Sequence, residues 1–172
     1  PMHYQEIWRY ADPAGLTHDI DLHWEVTNSK ALGVVLDTTQ VLAEAVPLPR
    51  LSSHALCAEP VTALIHRAVN RAVHTYSGYF SIDRNEYDAT RLGWAVDLDL
   101  LVRQLLAPQW KTVVSHATTS GVALIICDAL AFSRHNLASP IPEEALAELS
   151  RGPSDDPATR FLTSSNNFSR TL

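Results

Sequence analysis

Residues 17–27 alternate without a break: Ile20, Leu22, Trp24 and Val26 fall on one side of an extended chain, and Asp19, Asp21, His23 and Glu25 on the other. Such alternation specifies a strand with one apolar and one polar face. Ahead of it, residues 3–10 are rich in aromatic side chains, and Ala11-Asp12-Pro13-Ala14-Gly15 between the two runs is turn chemistry. The pair reads as a β-hairpin with a five-residue connection. From residue 30 onward the pattern is helical almost throughout, and a lone hairpin is marginal in water without further strands or a covering helix. The chain is therefore expected to be α+β, a hairpin at the edge of a larger sheet followed by a bundle of about five helices. The remaining strands of that sheet are expected to come from polypeptide outside this chain.

The helical part is punctuated by proline. A weak helix over 29–45 stops at Pro47-Leu48-Pro49, and Pro60 opens a stronger one in which Val61, Leu64, Ile65, Ala68, Ala72 and Tyr76 recur at helical spacing. A loop over 77–81 leads to a helix over 85–106 with Trp94, Leu98, Leu101, Val102 and Leu105 as its inner stripe, ended by Pro108. Helices over 110–119 and 122–136 follow, then a short one started by Pro142-Glu143-Glu144 and closed by Gly152. This divides the chain into residues 1–46, the last strands and a helix of a sheet-based core; 47–152, a helical domain; and 153–172, a loose polar tail.

Composition excludes several classes. With 46% hydrophobic and 19% charged residues the chain can bury a core of ordinary size. Its formal net charge of -6 argues against general nucleic-acid binding. The longest apolar run, residues 121–127, is far short of a membrane span, and no charged segment followed by an apolar one marks export. Cys57 and Cys127 lack metal-ligand spacing and read as buried thiols in helical stretches of a cytoplasmic protein. Gly-x-Ser-x-Gly, His-Glu-x-x-His, Gly-x-x-x-x-Gly-Lys and Cys-x-x-Cys are all absent.

The segment Asp19-Ile20-Asp21-Leu22-His23-Trp24 carries the most pointed chemistry. Two carboxylates and an imidazole line one strand face about 7 Å apart, a row suited to a hard cation such as Mg²⁺, although a solvated strand face uses the same residues. Ile20-Asp21-Leu22-His23-Trp24 with Thr27-Asn28 resembles the Asp-Leu-His-Trp...Ser-Asn signature of the uncharacterised nucleotidyltransferase family, in the polymerase-beta-like superfamily. Residues 64–74, Leu-Ile-His-Arg-Ala-Val-Asn-Arg-Ala-Val-His, are similar to that family's Leu-Leu-His-x-x-x-His-Arg-x-x-His helix, and residues 91–98 to its Leu-x-Trp-x-x-Asp-Ile helix. The order and approximate spacing of the three agree over residues 3–150.

The resemblance implies a Mg²⁺-dependent transfer of a nucleoside monophosphate from a nucleoside triphosphate to an unknown acceptor. It makes Asp21 the third metal-binding carboxylate, with Asp19 as an auxiliary metal ligand. Nucleotide contacts are expected from Asp19, His23, His66, Arg67, Asn70, Arg71 and His74; His66, Asn70 and His74 line one side of their helix with the arginines on its flank, an arrangement that also suits a structural polar stripe against the next helix. Asn70 stands where the family has a histidine. The family's Gly-Ser turn and Asp-x-Asp strand do not occur ahead of Asp21, and the Asp97-Leu98-Asp99 stretch is helical, so its carboxylates diverge by about 200°. The chain is thus expected to be the downstream part of the enzyme, inactive alone, and completed by a missing N-terminal segment or a partner chain.

Two other readings remain open on the residues. A non-catalytic helical module would use the Asp21 face against a partner chain. A toxin-like helical ribonuclease would use Arg67 and His74, whose Arg-x6-His spacing suits it. Asp97, beside an apolar stripe, is expected to clamp two helices through a partner such as His66 or Arg71.

Overall fold

In the computed structural model, residues 5–27, 32–33, 35–77, 79–81, 84–86 and 91–153 are described. Strands β1 (Gln5–Ala11) and β2 (Thr17–His23) form an antiparallel hairpin whose register runs from Gln5↔His23 to Ala11↔Thr17. The five intervening residues are closed by Asp12, whose carboxylate accepts from the Ala14 and Leu16 amides at 2.8 and 2.9 Å. Gly15, at φ 84°, takes the left-handed position the turn needs. Beyond His23 the chain bends instead of continuing as a strand. Val26 is thereby drawn against the helical core, which ends the alternation early.

The helices follow the proline punctuation. Helix α1 (Thr38–Ala43) is capped by Asp37, whose side chain accepts from the Gln40 amide. It is shorter than the 29–45 pattern predicts; residues 28–31 and 34, including Asn28 of the quoted signature, lie outside the described set. Leu32, Val35 and Leu36 are buried ahead of it in a turn. A two-residue ribbon, β3 (Val46–Pro47) with β4 (Leu56–Cys57), comes next, so Cys57 lies in a strand and not in a helix. Helix α2 (Pro60–Ser77) begins at the proline that marks it, with Glu59 accepting from the Val61 and Thr62 amides.

A second ribbon, β5 (Tyr79–Ser81) with β6 (Arg84–Glu86), occupies residues that the sequence pattern assigns partly to the next helix. Helix α3 (Leu92–Val102) therefore starts later than predicted, and residues 87–90 lie outside the described set. Helices α4 (Gln109–Thr119), α5 (Ala123–Leu137) and α6 (Glu143–Leu149) fall within a residue or so of their predicted places. Ala138 ends α5 at φ 51°.

Helix α5 is the hub, packing on α2, α3, α4 and α6. One buried cluster joins these helices to the turn before α1, with Leu32, Leu64, Ile65, Leu98, Ile125, Ile126, Leu130 and Leu149 essentially sealed from solvent. Ser133 fastens α5 to α3 by donating to the Ala95 carbonyl at 3.0 Å, and it shares a 2.7 Å bond with Ser139. The hairpin takes no part in this core. Its strand residues 6–11 and 17–23 are all exposed, including Ile7, Trp8, Tyr10, Ile20 and Leu22. It is tied down at its base, where Thr38 donates to Glu25 at 2.9 Å and His66 bonds to the Val26 backbone. An ordinary ribbon buries one face; this one exposes Trp8, Tyr10, Ile20 and Leu22 on one face and Asp19, Asp21 and His23 on the other.

No helix of the described residues is long and apolar enough to cross a membrane.

Candidate active site

The antiparallel register sorts the carboxylates of the hairpin. Asp19 lies opposite Arg9, and the two form a two-point ion pair, Nε to Oδ1 at 2.7 Å and Nη2 to Oδ2 at 3.1 Å. The guanidinium holds the Asp19 carboxyl below its usual range. Asp21, one step along, lies opposite the uncharged Ile7 and reaches only sideways, to His23 Nε2 at 3.0 Å. Its side chain is half exposed, at 49%. Both carboxylates thus share a face, but Asp21 is the one without an opposing cation.

From His23 the polar groups continue onto α2. The charge of His23 is felt at His66, whose imidazole is pushed below its ordinary value chiefly by burial. The bond to the Val26 backbone opposes that shift, while Arg67 and His23 add to it. The stripe on α2 then divides. Arg67 turns toward α3: it ion-pairs with Asp97, and its guanidinium carbon sits 4.1 Å from the centroid of the Trp94 ring. Arg71 turns toward α5: 6% exposed, it bonds to Asp128 at 2.5 Å and stacks on Phe132 at 4.4 Å. The helix clamp expected of Asp97 therefore exists, with Arg67 as its partner in place of His66 or Arg71.

Arg67, Asn70 and His74 meet Arg91, Gly93 and Trp94 around a cavity of about 310 Å³ between α2 and the start of α3. The His74 and Trp94 rings lie 5.5 Å apart, inclined at 37°. Burial lowers the pKa of His74, and the positive charges of Arg67 and Arg91 lower it further, so three nitrogen groups converge on one space. Sequence reasoning missed Arg91 and Trp94 as site residues. Trp94 reads as core from its periodicity, and it is 94% buried; its position in the first turn of α3, beside Arg91, was the available signal.

Of the predicted residues, the structure brings Asp19, Asp21 and His23 together on the hairpin and Arg67, Asn70 and His74 together at the cavity, with His66 between the two groups. Arg71 faces the core. Among the described residues no three carboxylate, imidazole or thiol groups are close enough to ligate one ion. Asp21 fits Mg²⁺ as a partial ligand set, since that ion commonly takes one or two protein carboxylates and fills its other positions with water and phosphate oxygens.

A family model described as an uncharacterised nucleotidyltransferase matches residues 2–138. Comparison with curated proteins and with solved structures returns no match.

Proposed function

Because the chain belongs to the uncharacterised nucleotidyltransferase family, we propose that it contributes Asp21 to the metal site of an enzyme that moves a nucleoside monophosphate from a nucleoside triphosphate to an acceptor hydroxyl. In that reaction the acceptor oxygen bonds to the α-phosphorus, the bond to the β-phosphate oxygen breaks, pyrophosphate leaves and the acceptor proton passes to solvent. The observation that carries the reading is the family match together with the position of Asp21 on an exposed acidic face, unopposed by a cation. Mg²⁺ held there would neutralise phosphate charge and help orient the acceptor oxygen.

The other roles fall to the chain itself. His23 braces the Asp21 carboxylate from the side, and Arg9 takes Asp19 out of competition for the ion. The exposed apolar face of Trp8, Tyr10, Ile20 and Leu22 and the unpaired edges of the ribbon suit further strands, which would supply the remaining carboxylates. His66, Arg67, Asn70 and His74 line the route from Asp21 to the cavity and would face the nucleotide.

The experiment is transfer of label from α-phosphate-labelled nucleoside triphosphates by the natural polypeptide, in Mg²⁺, with cell extract as the source of acceptors. Asp21→Asn abolishes transfer while circular dichroism stays unchanged. Transfer that survives this substitution overturns the assignment. One observation favours a second reading: Arg67 and His74, at the spacing used by helical ribonucleases, share one cavity. RNA cleavage that needs His74 and ignores Asp21 would select it. A non-catalytic module would show neither activity.

A further inference from the structure

We propose that the cavity between α2 and the start of α3 is a phosphate site that binds without a metal ion. Among the described residues its lining consists of Arg67, Asn70, His74, Arg91, Gly93 and Trp94, none of them a carboxylate. In a chain of formal net charge -6 this is a local reversal of sign. Asp97 of α3 is bound to one end of the Arg67 guanidinium, whose flat face rests on the Trp94 ring. The fork is thereby held in place before any ligand arrives, and a fixed guanidinium loses little entropy when it takes an oxyanion.

Two further features favour an anion. The indole N–H of Trp94 is buried, in a side chain only 6% exposed, and has no acceptor among the described residues. A donor left in that state costs free energy, so a small turn of the ring that brings its N–H to an oxygen in the cavity would be favourable. In addition, among the described residues no side chain caps the start of α3, and a Cβ added at Gly93 would meet nothing within 4 Å. Gly93 thus leaves room in the first turn of α3, near the positive end of the helix dipole, which favours phosphate. The volume, about 310 Å³, lies at the small end of ligand pockets and suits a phosphate or diphosphate group more than an entire nucleotide.

The site extends the nucleotidyl-transfer reading by giving it a phosphate anchor apart from Asp21, and it rests on that reading only for the source of the phosphate. A triphosphate's leaving diphosphate and a phosphorylated acceptor present the same chemistry.

The test is an NMR titration of the indole N–H resonances with inorganic pyrophosphate in a metal chelator, the 4 tryptophans being assigned by single Trp→Phe replacements. The Trp94 resonance shifts saturably at millimolar pyrophosphate, while those of Trp8, Trp24 and Trp110 stay in place. Arg91→Gln, at an exposed position and with circular dichroism checking that the fold is kept, weakens the response about tenfold, the worth of one charge-assisted hydrogen bond. Asp21→Asn leaves it unchanged. A Trp94 resonance that does not move, or that responds identically in Arg91→Gln, overturns the proposal. Repeating the titration with ATP and with a phosphate monoester identifies the source by which of them displaces pyrophosphate, and either result supports the site. If pyrophosphate binds but Asp21→Asn still transfers label, the transferase reading fails and the phosphate site stands.

Discussion

Arg9 and Asp19 grip each other across the hairpin through two bonds, at 2.7 and 3.1 Å, while Asp21, two residues along on the same face, is paired with Ile7. Two carboxylates that the sequence presents as equivalent are thus made different by what stands on the neighbouring strand. Asp19 already has its counter-ion, and a metal would have to displace it. Asp21 has a half-exposed carboxylate braced by the His23 imidazole.

Asp21→Asn is accordingly expected to cut Mg²⁺-dependent transfer by more than about 100-fold, beyond the usual effect of changing a group that only orients a ligand. Asp19→Asn is expected to stay within about tenfold of the parent, in the range of such orienting groups. Measuring initial rates at several Mg²⁺ concentrations checks both. Equal losses at the two positions would mean that Asp19 releases Arg9 and joins the metal.

Asp97→Ala is expected to lower the melting temperature by roughly 2–4 °C, equivalent to about 1 kcal/mol for a chain of this size. The Arg67–Asp97 pair links α2 to α3, but its side chains are 30% and 44% exposed, so solvent screens it and the cost stays modest. Differential scanning calorimetry reads the change. Asp97→Ala is also expected to weaken pyrophosphate binding, because Arg67 loses the partner that fixes its fork over Trp94.

Much of this arrangement was legible before the structure. Pro60 occupies the first position of α2 and Pro142 immediately precedes α6, as the proline pattern predicts, while Pro108, read as the end of one helix, is also the cap of the next; the alternation of Ile20 and Leu22 with Asp19 and Asp21 places the hairpin faces. What failed to show was interaction at a distance in sequence. Residues 84–86 have no strong strand preference, and their pairing with Tyr79–Ser81 is joined by Ile82-Asp83, which lacks the asparagine–glycine chemistry that announces a tight turn. Helical spacing puts Arg67 and Arg71 on one flank of α2, yet packing sends them to different neighbours, one to Trp94 and the other to Phe132. No local pattern contains that choice.

Arg71→Ala is expected to be the most damaging change at a polar position of α2, at about 2–3 kcal/mol, or roughly 5–10 °C in melting temperature. Its guanidinium is buried between Asp128 and the Phe132 ring, so truncation removes a charged hydrogen bond and leaves a gap where the stem packed. Arg71→Met, which keeps the stem, is expected to recover part of the loss. Chemical denaturation of both variants measures the difference, and a phosphate titration should find the cavity unaffected in Arg71→Met, since Arg71 does not line it.

The last expectation concerns pH. His66 and His74 both have pKa values below the ordinary 6.5, in each case mainly because burial disfavours the charged ring, with Arg67 adding repulsion at both and His23 and Arg91 at one each. Above pH 6.5 the ring is neutral in folded and unfolded chain alike, and neither histidine makes stability depend on pH. Below 6.5 the unfolded chain takes up a proton that the folded chain refuses. Stability therefore falls as pH drops, by at most about 1.4 kcal/mol per pH unit for each such group, and levels off once pH passes the folded-state value. His66→Gln keeps a donor for the Val26 backbone but cannot titrate, so its unfolding free energy should decline less steeply between pH 6.5 and mildly acidic conditions. Denaturant unfolding at a series of pH values gives the slope. An identical slope in His66→Gln would show that the ring is protonated as readily in the folded chain as in the unfolded one.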